Sequence, residues 1–96
     1  MIVRNRQGLH LRPADLLVKL ARQFSAEVEL VRGSLRVDGK SILDIATLGA
    51  AQGENLAIEA VGADAEAAVE ALADMIENRL PEEEQRYLAE EAQEQA

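Results

Sequence analysis

Two neighbouring stretches of this chain alternate between apolar and polar residues: Ala26-Glu27-Val28-Glu29-Leu30 and Leu35-Arg36-Val37-Asp38. A period of two sends successive side chains to opposite sides of an extended strand, so each stretch has one apolar face and one wet face. Gly33-Ser34 between them suits a tight hairpin. Asn55 to Val61 reads as a further strand with Leu56 and Ile58 inward. Met1 to Arg6 reads as a short strand near a sheet edge, with Met1 and Val3 on one side and Ile2, Arg4 and Arg6 on the other. Strands with a single apolar face make an antiparallel sheet that has to be covered on that face and no other.

Helical spacing elsewhere supplies the cover. Leu16, Leu17, Leu20 and Phe24 predict a helix over residues 11–24, whose first turn tolerates Pro13 because an amide there has no intrahelical acceptor. Ile42, Ile45, Ala46 and Gly49 predict a short helix opened by Ser41. Ala65, Ala68, Val69, Leu72, Ile76 and Leu80 predict a long one that Asp64 can cap and that Pro81 stops or restarts. The order β-α-β-β-(short α)-β-α therefore predicts an α+β domain over residues 1–80: a four-stranded antiparallel sheet with helices packed on one face. A ferredoxin-like arrangement needs a last strand that the chain lacks. Residues 82–96 hold six acids, with Tyr87 and Leu88 as the sizeable apolar groups. Residues 81–96 are accordingly expected to form a loosely attached acidic C-terminal extension.

Composition narrows the chemistry. The 96 residues include no cysteine and one histidine, which excludes disulfides, thiol redox chemistry, cysteine-based metal centres and multi-histidine cages; no metal and no cofactor are expected. No apolar stretch approaches the ~20 residues of a membrane span, and Met1-Ile2-Val3-Arg4 lacks the apolar run of a signal peptide. The expectation is a cytoplasmic monomer without membrane insertion. Of the net charge of -8, residues 1–40 contribute +4 and residues 41–96 contribute -12. So acidic a molecule offers no broad cationic surface to nucleic acid, but its first forty residues can present a local cationic patch to a phosphate or an acidic protein.

The segment Gly8-Leu9-His10-Leu11-Arg12-Pro13-Ala14 places the single histidine after a glycine and at the start of the first helix. The backbone amides of Leu11 and Arg12 and the helix dipole favour an anion there. A neutral imidazole is nucleophilic near neutral pH without an activating base, which suits reversible phosphoryl transfer. Arg12 can pair with phosphate oxygens through its planar fork. Leu9 and Leu11 would form an apolar rim for protein docking. The segment contains no second acid, base or metal ligand to position a water, which argues for a carrier and against a hydrolase.

GLHLRPA, followed about thirty residues later by GKSILDIATLG, resembles HPr, the histidine-containing phosphocarrier of the bacterial phosphoenolpyruvate:sugar phosphotransferase system. The resemblance covers about residues 1–80 and implies the open-faced β-sandwich of that family. It implies that His10 is phosphorylated at Nδ1 by enzyme I, itself charged by phosphoenolpyruvate, and passes the group to an enzyme IIA domain. Arg12 would be the phosphate-pairing arginine. It further implies partner contacts from the short second helix, at Leu43, Ala46 and Thr47. Leu11 stands where the family has a small Ala or Thr, and the acidic extension has no counterpart in the minimal domain.

Ser41 with Asp44 three residues later forms a capping-box pattern, which explains the serine structurally. In HPr proteins of many Gram-positive and some other bacteria the serine of this Lys-Ser-Ile segment is a target of HPr kinase/phosphorylase. The resemblance of Lys40-Ser41-Ile42 therefore makes Ser41 a candidate regulatory phosphorylation site, with Asp44 standing where those members often have Gly. The alternative function is a regulatory or scaffolding module that works through Ser41 and partner binding, without a transport role.

Overall fold

The computed structural model describes residues 1–4, 8–9 and 11–95, with the backbone alone for Tyr87 and residues 91–95. Three strands, β1 (Glu27–Arg32), β2 (Leu35–Asp38) and β3 (Ala57–Val61), form an antiparallel sheet in the order β2-β1-β3. The hairpin forms where expected, with Arg32 opposite Leu35 across Gly33-Ser34. In β1 the alternation is realised in full: Val28 and Leu30 are buried while Glu27 and Glu29 are exposed. Leu30 stands opposite Val37 on one side and Ile58 on the other, so the three strands share one apolar face. On the wet face Arg36 of β2 is gripped by Glu29 and Glu59 from the two strands beyond it.

The expected N-terminal strand is described over residues 1–4, and there it is not a full strand. It is an antiparallel bridge between Ile2 and Asn55, with hydrogen bonds from the Val3 amide to the Glu54 carbonyl and from the Gly53 amide to the Val3 carbonyl. The partner segment turns at Gln52–Gly53, so no extended chain remains for a longer ladder. Val3 is nevertheless fully buried. Arg6 lies outside the described residues.

Helices α1 (Leu11–Ala21), α2 (Ile42–Leu48) and α3 (Ala65–Asp74) cover the apolar face. The buried stripe of α1 is Ala14, Leu17, Val18 and Ala21, with Leu16, Leu20 and Phe24 only partly buried. Small residues on that stripe let the helix approach closely, and the larger leucines fill its flanks. In α2 the buried pair is Ile45 and Leu48. Ala68 and Leu72 of α3 continue into Met75, Ile76 and Leu80 to close the core.

Asp64 precedes α3, but its carboxylate makes no cap bond to that helix. It accepts hydrogen bonds from the amides of Ser25 and Ala26, each at 2.8 Å, and so ties the start of α3 to the entry of β1. Those amides hold its pKa below the ordinary carboxylate value. Nor does the helix end at Pro81. Residues Met75–Arg79 form a π-helical turn, and α4 (Leu80–Gln95) follows without a break. In a regular α-helix the Pro81 ring would press on the carbonyl four residues earlier. The wider turn just before it makes room, with the Leu80 amide reaching back to the Met75 carbonyl. Residues expected to be loosely attached are therefore helical, on an axis continued from a buried base. Among the described residues, no helix is long and apolar enough to cross a membrane.

Candidate functional site

The approach to the histidine is held from below by the chain that leaves α2. The Leu9 amide donates to the Ala50 carbonyl at 2.9 Å, and Leu9 itself is 3% exposed, among the core residues. Gly8 has a φ of 69°, and a Cβ on it would lie 2.4 Å from the Ala50 oxygen. Position 8 therefore requires glycine twice over, for its left-handed backbone and for the closeness of the neighbouring carbonyl. The segment it packs on is braced in turn. Arg32 donates to the Leu48 carbonyl at 2.9 Å and to the Glu54 carboxylate at 2.8 Å, and Glu54 accepts from the Ala51 amide. Arg32 and that amide lower the Glu54 pKa.

Beyond Leu9 the chain enters α1 at Leu11, with Pro13 and Ala14 buried in the first turn. His10 lies outside the described residues. Its neighbours bracket it: a buried leucine before, the first residue of an eleven-residue helix after. Leu11 is 60% exposed, and Arg12 is exposed beside it. Of the two leucines expected to form an apolar rim, only Leu11 is at the surface. Leu9 is an anchor, because its amide and side chain both turn inward toward Ala50 and the core.

Helix α2 packs against α1 and brings the second group of expected residues to the same side of the sheet. Leu43 is 72% exposed, Thr47 is exposed, and Ala46 is half-buried. Leu43 thus leaves the buried pair Ile45 and Leu48 and joins Leu11 as an uncovered apolar group on the helical layer. The Thr47 hydroxyl lies 2.9 Å from the carbonyls of Leu43 and Asp44, which turns it back on its own helix.

Ser41 is half-buried at the N-cap of α2, its hydroxyl accepting from the Asp44 amide at 3.3 Å. The capping box is only half closed. The Asp44 carboxylate accepts from the Asp38 amide instead, and the Ser41 amide donates to the Asp38 carbonyl. Lys40 donates to the Phe24 carbonyl at 2.8 Å, and Arg22 to the Lys40 carbonyl, so the ends of α1 and the start of α2 are cross-linked by cationic side chains. Sequence reasoning missed Ala50, whose carbonyl positions the site. No local signal marks an alanine in a loop; only the demand for glycine at position 8 hints that some backbone must come close.

The family model described as "PTS HPr component phosphorylation site" matches residues 1–78. The chain belongs to the HPr family. The phosphocarrier protein HPr of Treponema pallidum is 38% identical over 81 residues, which cover 84% of this chain and 92% of that protein. The crystal structure of HPr-C-His from Thermoanaerobacter tengcongensis superposes with a TM-score of 0.77 at 40% identity, covering 80% of this chain and 86% of that one. An HPr from Bacillus anthracis gives the same TM-score at 36% identity, covering 80% and 92%. The HPr fold, an open-faced sheet with its helices on one side, is the architecture described above. The matched residues end one position before the last of the π-helical turn, so α4 lies beyond the family match.

Proposed function

We propose that this HPr-family phosphocarrier accepts a phosphoryl group on His10 from phosphoenolpyruvate-charged enzyme I and hands it to an enzyme IIA domain. One observation supports the reading: Leu9 is a buried anchor and α1 begins at the exposed Leu11, so the chain between them leads into the dipole-positive end of a helix, which favours an anion. In the accepting step, a ring nitrogen of His10 attacks phosphorus. The bond from phosphorus to the carrier group of enzyme I breaks, and that group keeps the electron pair. The amides of Leu11 and Arg12 and the Arg12 guanidinium stabilise charge on the moving phosphoryl oxygens. Leu11, Leu43, Ala46 and Thr47 form the docking face for both partners, and water is kept from the site when a partner covers it. The handover to enzyme IIA is the same exchange in reverse.

Ser41 belongs to the same reading as a secondary site for HPr kinase/phosphorylase. Its hydroxyl accepts from the Asp44 amide, and an added phosphate would gain the amides at the start of α2 and lose part of that gain to repulsion from the Asp44 carboxylate. Incubation with phosphoenolpyruvate and enzyme I is expected to add one acid-labile phosphoryl group, absent from a folded His10→Ala variant. Label persisting in that variant would refute the assignment.

A further inference from the structure

The N-terminal segment that leads to the histidine is hydrogen-bonded along one side. Beyond the two bonds of Val3, the Leu56 amide donates to the Met1 carbonyl and the Gln52 side chain to the Arg4 carbonyl, each binding the segment to residues 52–56. Near its other end a shallow groove of about 240 Å3 separates Arg4 from the first two turns of α4, and its far wall is Pro81, Glu82, Glu84, Gln85 and Leu88. Positions 81, 84, 85 and 88 follow helical spacing and share one face. Glu84 and Leu88 on that face are half-buried. The base of the helix cannot swing away, since Ile76 and Leu80 are in the core. Arg4 lines one side of the groove, and Glu82, Glu84, Pro81 and Leu88 line the other, so a basic residue and two acidic ones share it with two apolar groups.

We propose that the first two turns of α4 brace the N-terminal segment and thereby position the loop that carries His10, with Glu84 and Leu88 as positioning residues. Three residues separate Arg4 from Gly8 in the chain, and Gly8 packs on Ala50; under this proposal a shift at Arg4 reaches it. The positioning role rests on the carrier reading above; the brace does not. α4 then has a role although it lies beyond the family match: it adds a second support to a segment already hydrogen-bonded to residues 52–56.

The test uses the full chain in four forms: parent, Leu88→Asp, Glu84→Lys, and Glu90→Lys as a control with the same charge change on another face. Amide exchange at Val3 and Leu56 reads the N-terminal pairing, with Leu30 as the reference for global unfolding. Leu88→Asp and Glu84→Lys are expected to speed exchange at Val3 and Leu56 roughly tenfold while Leu30 is unchanged. Single-turnover phosphorylation by enzyme I is expected to slow about threefold in the same two variants and not in Glu90→Lys. Adding Arg4→Glu to Glu84→Lys puts opposite charges on the two walls of the groove again and is expected to recover most of both effects. Unchanged exchange at Val3 overturns the brace. Faster exchange with an unchanged transfer rate overturns the positioning role. A parent chain that takes up no phosphate sinks the carrier reading, and with it the positioning role, while the exchange data still decide the brace.

Discussion

Gly8→Ala tests whether the site is held by the Ala50 carbonyl or merely passes near it. Gly8 and Gly33 have nearly the same left-handed backbone, with φ of 69° and 61°. Replacing either with alanine costs about 1–2 kcal/mol for placing a Cβ in that region. The loss of unfolded-chain freedom is the same for both and cancels in the comparison. The surroundings differ completely. A Cβ on Gly33 meets nothing within 4 Å, whereas one on Gly8 lies 2.4 Å from the Ala50 oxygen and 3.0 Å from the Ala51 Cα. To reach even the shortest real contacts, the carbonyl has to retreat by more than half an ångström. That retreat breaks or bends the 2.9 Å bond from the Leu9 amide. Leu9 and Ala50 are each 3% exposed, so water cannot replace the lost partner. Leaving such groups unsatisfied costs about 1–3 kcal/mol. The expected totals are about 2–5 kcal/mol for Gly8→Ala and about 1–2 kcal/mol for Gly33→Ala. Urea titration followed by circular dichroism measures both, and in a domain of this size the difference corresponds to at least about 4 °C in Tm. Equal losses in the two variants, within about 0.5 kcal/mol, would show that the close approach contributes nothing and that the loop is held otherwise.

The two leucines beside the histidine should separate cleanly: Leu9→Ala loses about 2–5 kcal/mol of stability in a urea titration, while Leu11→Ala loses under about 1 kcal/mol but slows transfer from enzyme I. Arg12→Ala is expected to melt within a few degrees of the parent yet exchange phosphate at least ~tenfold more slowly, about 1.4 kcal/mol of transition-state stabilisation, with Arg12→Lys recovering part of it in rapid-quench measurements. Asp64 has a lowered pKa in the folded chain, so its stabilisation is complete above the unfolded carboxylate value and is lost as pH falls through the folded one. Melting curves of parent and Asp64→Asn should therefore differ most at neutral pH and converge below about pH 4; a gap that persists in acid would refute the charge-based account.

What the chain declares locally, the structure keeps. The alternation at 26–30, the turn at Gly33-Ser34 and the hydroxyl half of the cap at Ser41 each depend on residues a few positions apart, and each forms as the residues imply, whereas in 35–38 Leu35 is exposed and Val37 half-buried. The motif around His10 is legible for the same reason, since a glycine, a histidine and a helix start are neighbours in the chain. Tertiary contacts decided the rest. Leu9 is as apolar as Leu11, and only Ala50, some forty residues later, makes one an anchor and leaves the other exposed. The N-terminal strand shrinks to a bridge because its partner turns at Gly53, which nothing in residues 1–6 records. Asp64 has the composition of a cap, but the amides of Ser25 and Ala26 approach it from another element and take its carboxylate. At Pro81 the chain carries a helix breaker, and the anchoring of Ile76 and Leu80 in the core is what makes a widened turn preferable to a stop. Local pattern sets which conformations a segment can adopt. Which face is covered and which carbonyl lies within reach depends on residues distant in sequence, and only the assembled fold brings those together.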